Sequence, residues 1–268
     1  MMPSAITIRP VTQLADYYAL EPLQRTIWDL PTGEEILPAH LLITFQDNGG
    51  LVLGAWHNDD LIGLCVGFLG STPEGQIKFC SEIMGVLPAY RSQHVGYWLK
   101  CAQREHVLAR GIRQITWTYD PLQTRNANLN LHKLGAVCRT FFPNLYGDIG
   151  GINAGLPTDR FQVDWWLDSP NVLARLAGAP TPTVAELLAQ GVPVLHPLES
   201  AERPYTPQFL LQIPADFPTL KQTNLALAQA WRTHSSAHFQ SAFAAGYSAT
   251  DLLRDADACY YLIEKREP

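Results

Sequence analysis

Hydrophobic and polar positions change period along the chain, and the changes mark out its elements. Residues 6–11 alternate as a short strand. Residues 14–30 carry a loose helical stripe of Leu14, Tyr17, Tyr18, Leu20 and Leu23. A second helix is expected at 38–45, ended by the turn Asp47, Asn48, Gly49, Gly50. Two apolar runs, 51–56 and 61–69, flank a tight polar connection at 57–60 and read as a hairpin. A fourth strand follows at 76–87, a helix at 91–110, a β-rich run at 112–119 and a helix at 125–134 with Gly135 as its C-cap. Strands at 137–142 and 161–167 complete this set. A Pro-containing stretch, 169–182, interrupts the pattern. Beyond it the expectation is a short helix at 184–190, strands at 192–195 and 209–213, a long helix at about 220–245 and a last strand at 260–263. The fold class is therefore α/β (α+β). Two domains are expected, 1–168 and a smaller C-terminal α/β extension, 169–268.

Composition narrows the range of functions. The chain has 268 residues, 47% of them hydrophobic, and a net charge of −6. That size suits one large domain or one domain with a smaller companion. An acidic balance gives no reason to expect nucleic acid. No apolar run is long enough to cross a bilayer, so no membrane partner is expected. The first residues lack a basic region followed by an apolar core, and no secretory leader is read there. Five scattered cysteines fit reduced, buried thiols, and a cytoplasmic location is the expectation. The eight histidines show no metal-ligand spacing on a helix, so no metal is expected.

The chemistry concentrates in IMGVLPAYRSQHVGYWLKCAQREHVLARG, residues 83–111. An apolar strand runs into a Pro-marked turn, a short polar loop with Arg91, and a long helix with Gly96 in its first turn. Glycine there costs about 1 kcal/mol relative to alanine, which points either to helix–strand packing or to close approach of a ligand. Free N–H groups at a helix N-terminus form a ready phosphate site.

The segment VLPAYRSQHVGYWL resembles the cofactor-binding motif of the GNAT acetyltransferase superfamily, in which V-x-P and two residues precede R-G-x-G-[IL]-G. Val86, Pro88, Arg91, Val95 and Gly96 match, whereas Ser92 and His94 stand where glycines are usual. The order of elements from residue 6 to 167 matches as well. Residues 99–136, 144–147 and 156–165 resemble a bacterial group of GNAT acyltransferases with a C-terminal extension. The resemblance implies a mainly antiparallel central sheet flanked by helices. It also implies acetyl-CoA or another acyl-CoA, a small-molecule amine as partner, and direct transfer in a ternary complex. In such a site the pantetheine arm pairs with the fourth strand near Met84, Gly85 and Val86. The pyrophosphate meets the N–H groups of Ser92, Gln93, His94, Val95, Gly96 and Tyr97, and Arg91 adds charge.

Transfer of this kind needs a base, an oxyanion donor and an acid for the thiolate. Glu82 is the candidate base. Strand alternation places it with Met84 and Val86, opposite Ser81, Ile83 and Gly85, and an apolar setting would raise its pKa. Leu131 occupies the position where many relatives carry a proton-donating tyrosine, so Tyr119 and Tyr146 are the substitutes. Asp120 and Asn126 read as turn and capping residues. Arg160 suits either an ion pair or a grip on a substrate carboxylate. A non-catalytic acyl-CoA-binding protein is the alternative function. The extension is expected either to cover the acceptor pocket or to bury a homodimer face.

Overall fold

A computed structural model describes all residues except 1–4, 31–35, 148–154, 200–205, 256–257 and 266–268. Part of the stretch read for a leader lies outside the described residues. The chain forms two compact units, 1–117 and 118–268.

The sheet of the first unit runs β1 (Ile6–Pro10), β2 (Leu51–His57), β3 (Asp60–Ser71), β4 (Ile77–Val86) and β5, which begins at Gln114 and ends at Tyr119. Neighbours are antiparallel from β1 to β4. β4 and β5 are parallel. Helices α1 (Leu14–Trp28) and α2 (Ala39–Asp47) cover one face. Tyr17, Leu20, Leu23 and Ile27 of α1 and Leu42 of α2 pack there on Val52, Leu64 and Val66. Gln24, buried in α1, fixes the entry to α2: its amide donates to the Leu37 carbonyl and accepts from the Leu37 N–H, both at 2.9 Å. Helix α3 (Val95–Leu108) packs on β2, β3 and β4. A short 3-10 turn, Pro88–Tyr90, precedes it.

The second unit holds β6 (Val137–Phe142), β7 (Arg160–Trp166), β8 (Val194–Leu195), β9 (Gln208–Pro214), β10 (Tyr247–Asp255) and β11 (Ala258–Lys265). Their order in the sheet is β7, β6, β10, β11, β9, β8. All neighbours are antiparallel except β8 and β9. The helices are α4 (Thr124–Ala127), α5 (Pro170–Leu176), α6 (Val184–Ala189), α7 (Phe217–Thr223) and α8 (Leu225–Ala244). Phe161 of β7 meets Phe239 of α8 edge-on at 4.6 Å between ring centres, with Phe141, Phe243 and Tyr261 around them.

The class is the expected one, a mixed α/β fold with a mainly antiparallel sheet and flanking helices. Some elements differ from expectation. By contact the two compact units meet after Trp117, and within the second unit β6 pairs with β10 and takes α8 on its surface. The helix expected at 220–245 is two helices, parted at Asn224, whose side chain accepts the Leu227 N–H at 3.1 Å and caps α8. The Pro-containing stretch contains α5, with Ser169 as N-cap and Pro170 in the first turn. The helix expected at 125–134 becomes a π-type turn at Asn128–Lys133, and Gly135 follows it at φ +69°.

Candidate active site

The first unit builds the candidate cofactor site from β4, the loop after it, and α3. β4 pairs with β5 only through Phe79 with Ile115 and Cys80 with Thr116. Beyond that rung the strands part. From Ser81 onward β4 keeps its bonds to β3, with Met84 opposite Cys65, Gly85 opposite Leu64 and Val86 opposite Gly63. Its other edge has no pairing to β5 among the described residues, which leaves backbone groups of residues 81–86 for an extended ligand.

Helix α3 opens without a side-chain cap, so the N–H groups of Val95, Gly96 and Tyr97 have no acceptor within the helix. Two residues before the helix adopt left-handed backbone: Ser92 at φ 65° and His94 at φ 62°. These are the two positions where the resembled motif has glycine. The loop thus takes a glycine conformation with side chains in place. Those side chains are exposed, as is that of Gln93, and they do not seal the bend. His94 points its ring toward Trp98, with ring centres 6.2 Å apart. The tip of Tyr97 lies beside Cys101, where burial and that thiol push the phenol up to about 12.

Arg91 is bound within the protein. Its Nη2 donates to the Ile27 carbonyl at the end of α1 at 2.8 Å, and its Nε to the Val86 carbonyl at 3.3 Å. It ties the loop to α1 and β4. Gly85 serves packing: a Cβ there would stand 2.7 Å from Cγ2 of Ile27 and 3.0 Å from Trp28.

Glu82 lies on a β-bulge. Gly67 pairs with Ser81 and Val66 with Ile83, so Glu82 is an extra residue with no partner opposite on β3. The bulge breaks the expected alternation. Ser81 faces α3, whereas Ile83 packs with the core under α1 and α2. Glu82 itself is exposed, so the apolar setting expected around it is not there.

Sequence reasoning missed Lys100. It is 2% exposed and points from α3 to the place where β4 and β5 part. Its ammonium donates to Ser81 Oγ at 2.7 Å and to Gln103 Oε1 at 3.1 Å, and it stands 3.6 Å from the centre of the Trp117 ring. Burial pulls its pKa down to about 8, with the Cys65 thiol opposing. The signal was present in the sequence: Lys100 and Gln103 fall on the stripe of Val95, Leu99 and Val107.

In the second unit the two tyrosines part company. Tyr119 is buried, its hydroxyl 3.2 Å from that of Tyr261, and burial raises its pKa well above the ordinary phenol value. Tyr261 donates onward to the Pro121 carbonyl. A hydroxyl held in the core this way is a packing element, and the role of acid has no support in its placement. Tyr146 is 54% exposed and its hydroxyl lies 3.0 Å from Thr118 Oγ1. The Arg160 guanidinium stands 5.2 Å from its ring centre. One edge of Arg160 donates to the Asp159 carbonyl at 2.9 Å. Leu131 is fully buried. Asp120 accepts both arms of Arg232, at 2.8 and 2.6 Å, and the Leu122 N–H at 2.9 Å, so it forms the expected turn and also a buried ion pair. Asn126 is exposed inside α4 and does not cap it.

No protein-family description matches the sequence. No curated protein matches it either. Solved structures do. Among the structures the chain is similar to are GNAT-family acetyltransferases. One is yncA from Salmonella typhimurium, a candidate acetyltransferase solved with its cofactor acetyl-CoA. It is 20% identical, spans 62% of this chain and 96% of its own, and superposes at a TM-score of 0.49. Another is a GNAT acetyltransferase from Elizabethkingia anophelis with acetyl-CoA bound, 16% identical over 61% of this chain and 99% of its own, at 0.45. A third, from Streptococcus pneumoniae, is 15% identical over 59% of this chain and 97% of its own, at 0.46. No helix among the described residues is long and apolar enough to cross a membrane.

Proposed function

We propose that the protein is an N-acyltransferase that takes its acyl group from an acyl-CoA and transfers it directly to the amine of a small molecule. The observation that carries this reading is the conjunction in the first unit: β4 parts from β5 after two paired positions, and an uncapped helix begins just beyond β4 with its loop open. In this reading the pyrophosphate binds at residues 92–97, where first-turn N–H groups and the helix dipole favour negative charge. The pantetheine arm lies along the free edge of β4 at Met84, Gly85 and Val86.

The chemistry assigned is a single displacement. The amine nitrogen bonds to the thioester carbon, the carbon–sulfur bond breaks, and the nitrogen yields a proton as the thiolate gains one. Glu82 is the proposed base, carried outward by its bulge. Of the two tyrosines, Tyr146 keeps an exposed hydroxyl, and the proposed role of proton donor passes to it. Arg160, with Tyr146 against its face, suits an acceptor that bears a carboxylate, such as an amino acid or related metabolite. A second reading, an acyl-CoA-binding protein without catalysis, is favoured by Leu131, which fills the usual tyrosine position with a buried side chain.

A thermal-shift screen against an acyl-CoA panel, followed by an amine screen with the best binder, tests both. Binding with turnover supports the enzyme, and Glu82→Gln should then cut turnover at near-normal cofactor affinity. Binding without turnover over a broad amine panel supports the second reading. Failure to bind any acyl-CoA removes both.

A further inference from the structure

The buried charges of this protein are handled in two ways. In the second unit the buried Arg232 pairs with Asp120, and the buried Asp251 with Arg175, each at 2.6 Å. Lys100, in the first unit, is as deeply buried and has no carboxylate partner among the described residues. Its neighbours are a hydroxyl on β4, an amide on its own helix, an indole on β5 and the Cys65 thiol on β3. A buried ammonium without an anion is costly. Beside it the Nε2 of Gln103, fully buried, has no acceptor. One donor of the cluster, the Gln103 amide, thus lacks an acceptor, and the ammonium beside it lacks a negative charge.

The position of the cluster says what could supply it. Ser81 and Trp117 are the first residues past the last paired rung of β4 and β5. Lys100 touches both, so its ammonium marks the apex of the fork. From Val86 to Ser81 the strand spans about 16 Å. A thioester arm entering at the loop end and lying along β4 points its acyl group toward that apex.

We propose that the Lys100 ammonium and the Gln103 amide receive the terminal carboxylate of a dicarboxylic acyl group, so that the acyl donor is a succinyl-like CoA thioester rather than acetyl-CoA. The inference rests on the acyl-CoA reading above. A carboxylate there accepts from Lys100 and from the orphaned Gln103 N–H, and its charge offsets the cation. It also draws the lysine back toward full protonation, which gives binding a proton signature.

Calorimetric titration of the full chain at pH 8 with CoA, butyryl-CoA and succinyl-CoA tests this. The last two differ in a terminal methyl against a carboxylate. The expected result is succinyl-CoA tighter than butyryl-CoA by about tenfold or more, the size of one charge-assisted hydrogen bond. Proton uptake, read by repeating the titration in buffers of different ionisation enthalpy, should accompany succinyl-CoA alone. Lys100→Met should abolish both the preference and the uptake while CoA and butyryl-CoA bind as before. Gln103→Met should weaken the preference, and it serves if the first variant does not fold. Butyryl-CoA bound as tightly as succinyl-CoA by the wild-type protein overturns the inference and leaves the acyl-CoA reading standing. No binding of CoA or either thioester overturns both.

Discussion

Glycine at residues 92 and 94 should stabilise this protein where alanine does not. Both residues have left-handed backbone, Ser92 at φ 65° and His94 at φ 62°. An L-residue with a Cβ pays about 1–2 kcal/mol for that conformation. Glycine escapes this cost but loses about 0.4–1 kcal/mol through its freer unfolded chain. The net advantage of glycine over alanine is then roughly 0.5–1 kcal/mol per site. The pair Ser92→Gly with His94→Gly should exceed the pair Ser92→Ala with His94→Ala by about 1–2 kcal/mol if the sites add. Comparing glycine with alanine, and not with the native residues, removes the polar side chains from the reckoning. Both are exposed, so their loss should cost little. Urea unfolding at fixed pH reads the difference as a shift in midpoint at constant m. The glycine pair should also hold CoA at least as well as the native loop, since it keeps the N–H groups at the start of α3 in the same array. An alanine pair as stable as the glycine pair would mean that the loop is not left-handed in solution. The phosphate site would then lose its geometric basis.

Three further outcomes follow from buried groups. Lys100 titrates at about 8 in the folded chain, against about 10.4 when unfolded. The unfolded chain therefore holds more protons between those values. Stability from this group should rise with pH across that window, by roughly 3 kcal/mol in all, and be lowest below pH 8. Denaturation at several pH values should show this rise in the wild type and its loss in Lys100→Met; equal pH profiles would refute it. Asp120→Ala strands Arg232, whose Nε already lacks a partner, and should cost about 3–5 kcal/mol. A urea-measured loss under about 1 kcal/mol would show that Asp159, 4.0 Å from the same guanidinium, takes over. Gly85→Ala drives a methyl into Ile27 and should cost about 1–3 kcal/mol, with part regained when Ile27→Ala opens the space.

Much of the first unit was legible because its elements obey simple periods. The hairpin of β2 and β3 is two apolar runs about a polar turn, and Tyr17, Leu20 and Leu23 of the expected α1 stripe are buried, whereas Leu14 and Tyr18 of that stripe are exposed. β10 escaped because it does not alternate. Its residues from Tyr247 to Leu253 are all buried, and three of them, Ser248, Thr250 and Asp251, are polar. Asp251 reads as a surface residue, yet it is held in the core by Arg175 and His132. The break at Asn224 was readable as a cap, as was Ser169 followed by Pro170. The bulge at Glu82 was not, since a single extra residue leaves no mark in composition. In the site, the loop and its motif were visible, while Lys100 was hidden by its own type. A lysine in an amphipathic helix is normally on the wet face, and only its register with Leu99 and Val107 gave it away.

The departures from ordinary folding rules in the first unit fall close together in sequence and serve one end. Ser92 and His94 are strained, α3 starts uncapped, and Lys100 is buried without an anion, all within nine residues, 92–100. Glu82 bulges out of β4 beside Ser81, which Lys100 binds. Each carries a cost that packing alone does not require. Two of them are relieved by the same kind of ligand, an anion at the uncapped helix start and an anion beside Lys100 at the fork. A structural explanation would need separate compensations for the strain, the uncapped turn and the bare cation, and the second unit shows what compensation for a cation looks like: its buried Arg232 keeps the carboxylate of Asp120. Among its described residues the first unit supplies none for Lys100. A bound molecule with negative charge at both ends answers the uncapped turn and the buried cation together, which an acyl-CoA with a neutral acyl group does not.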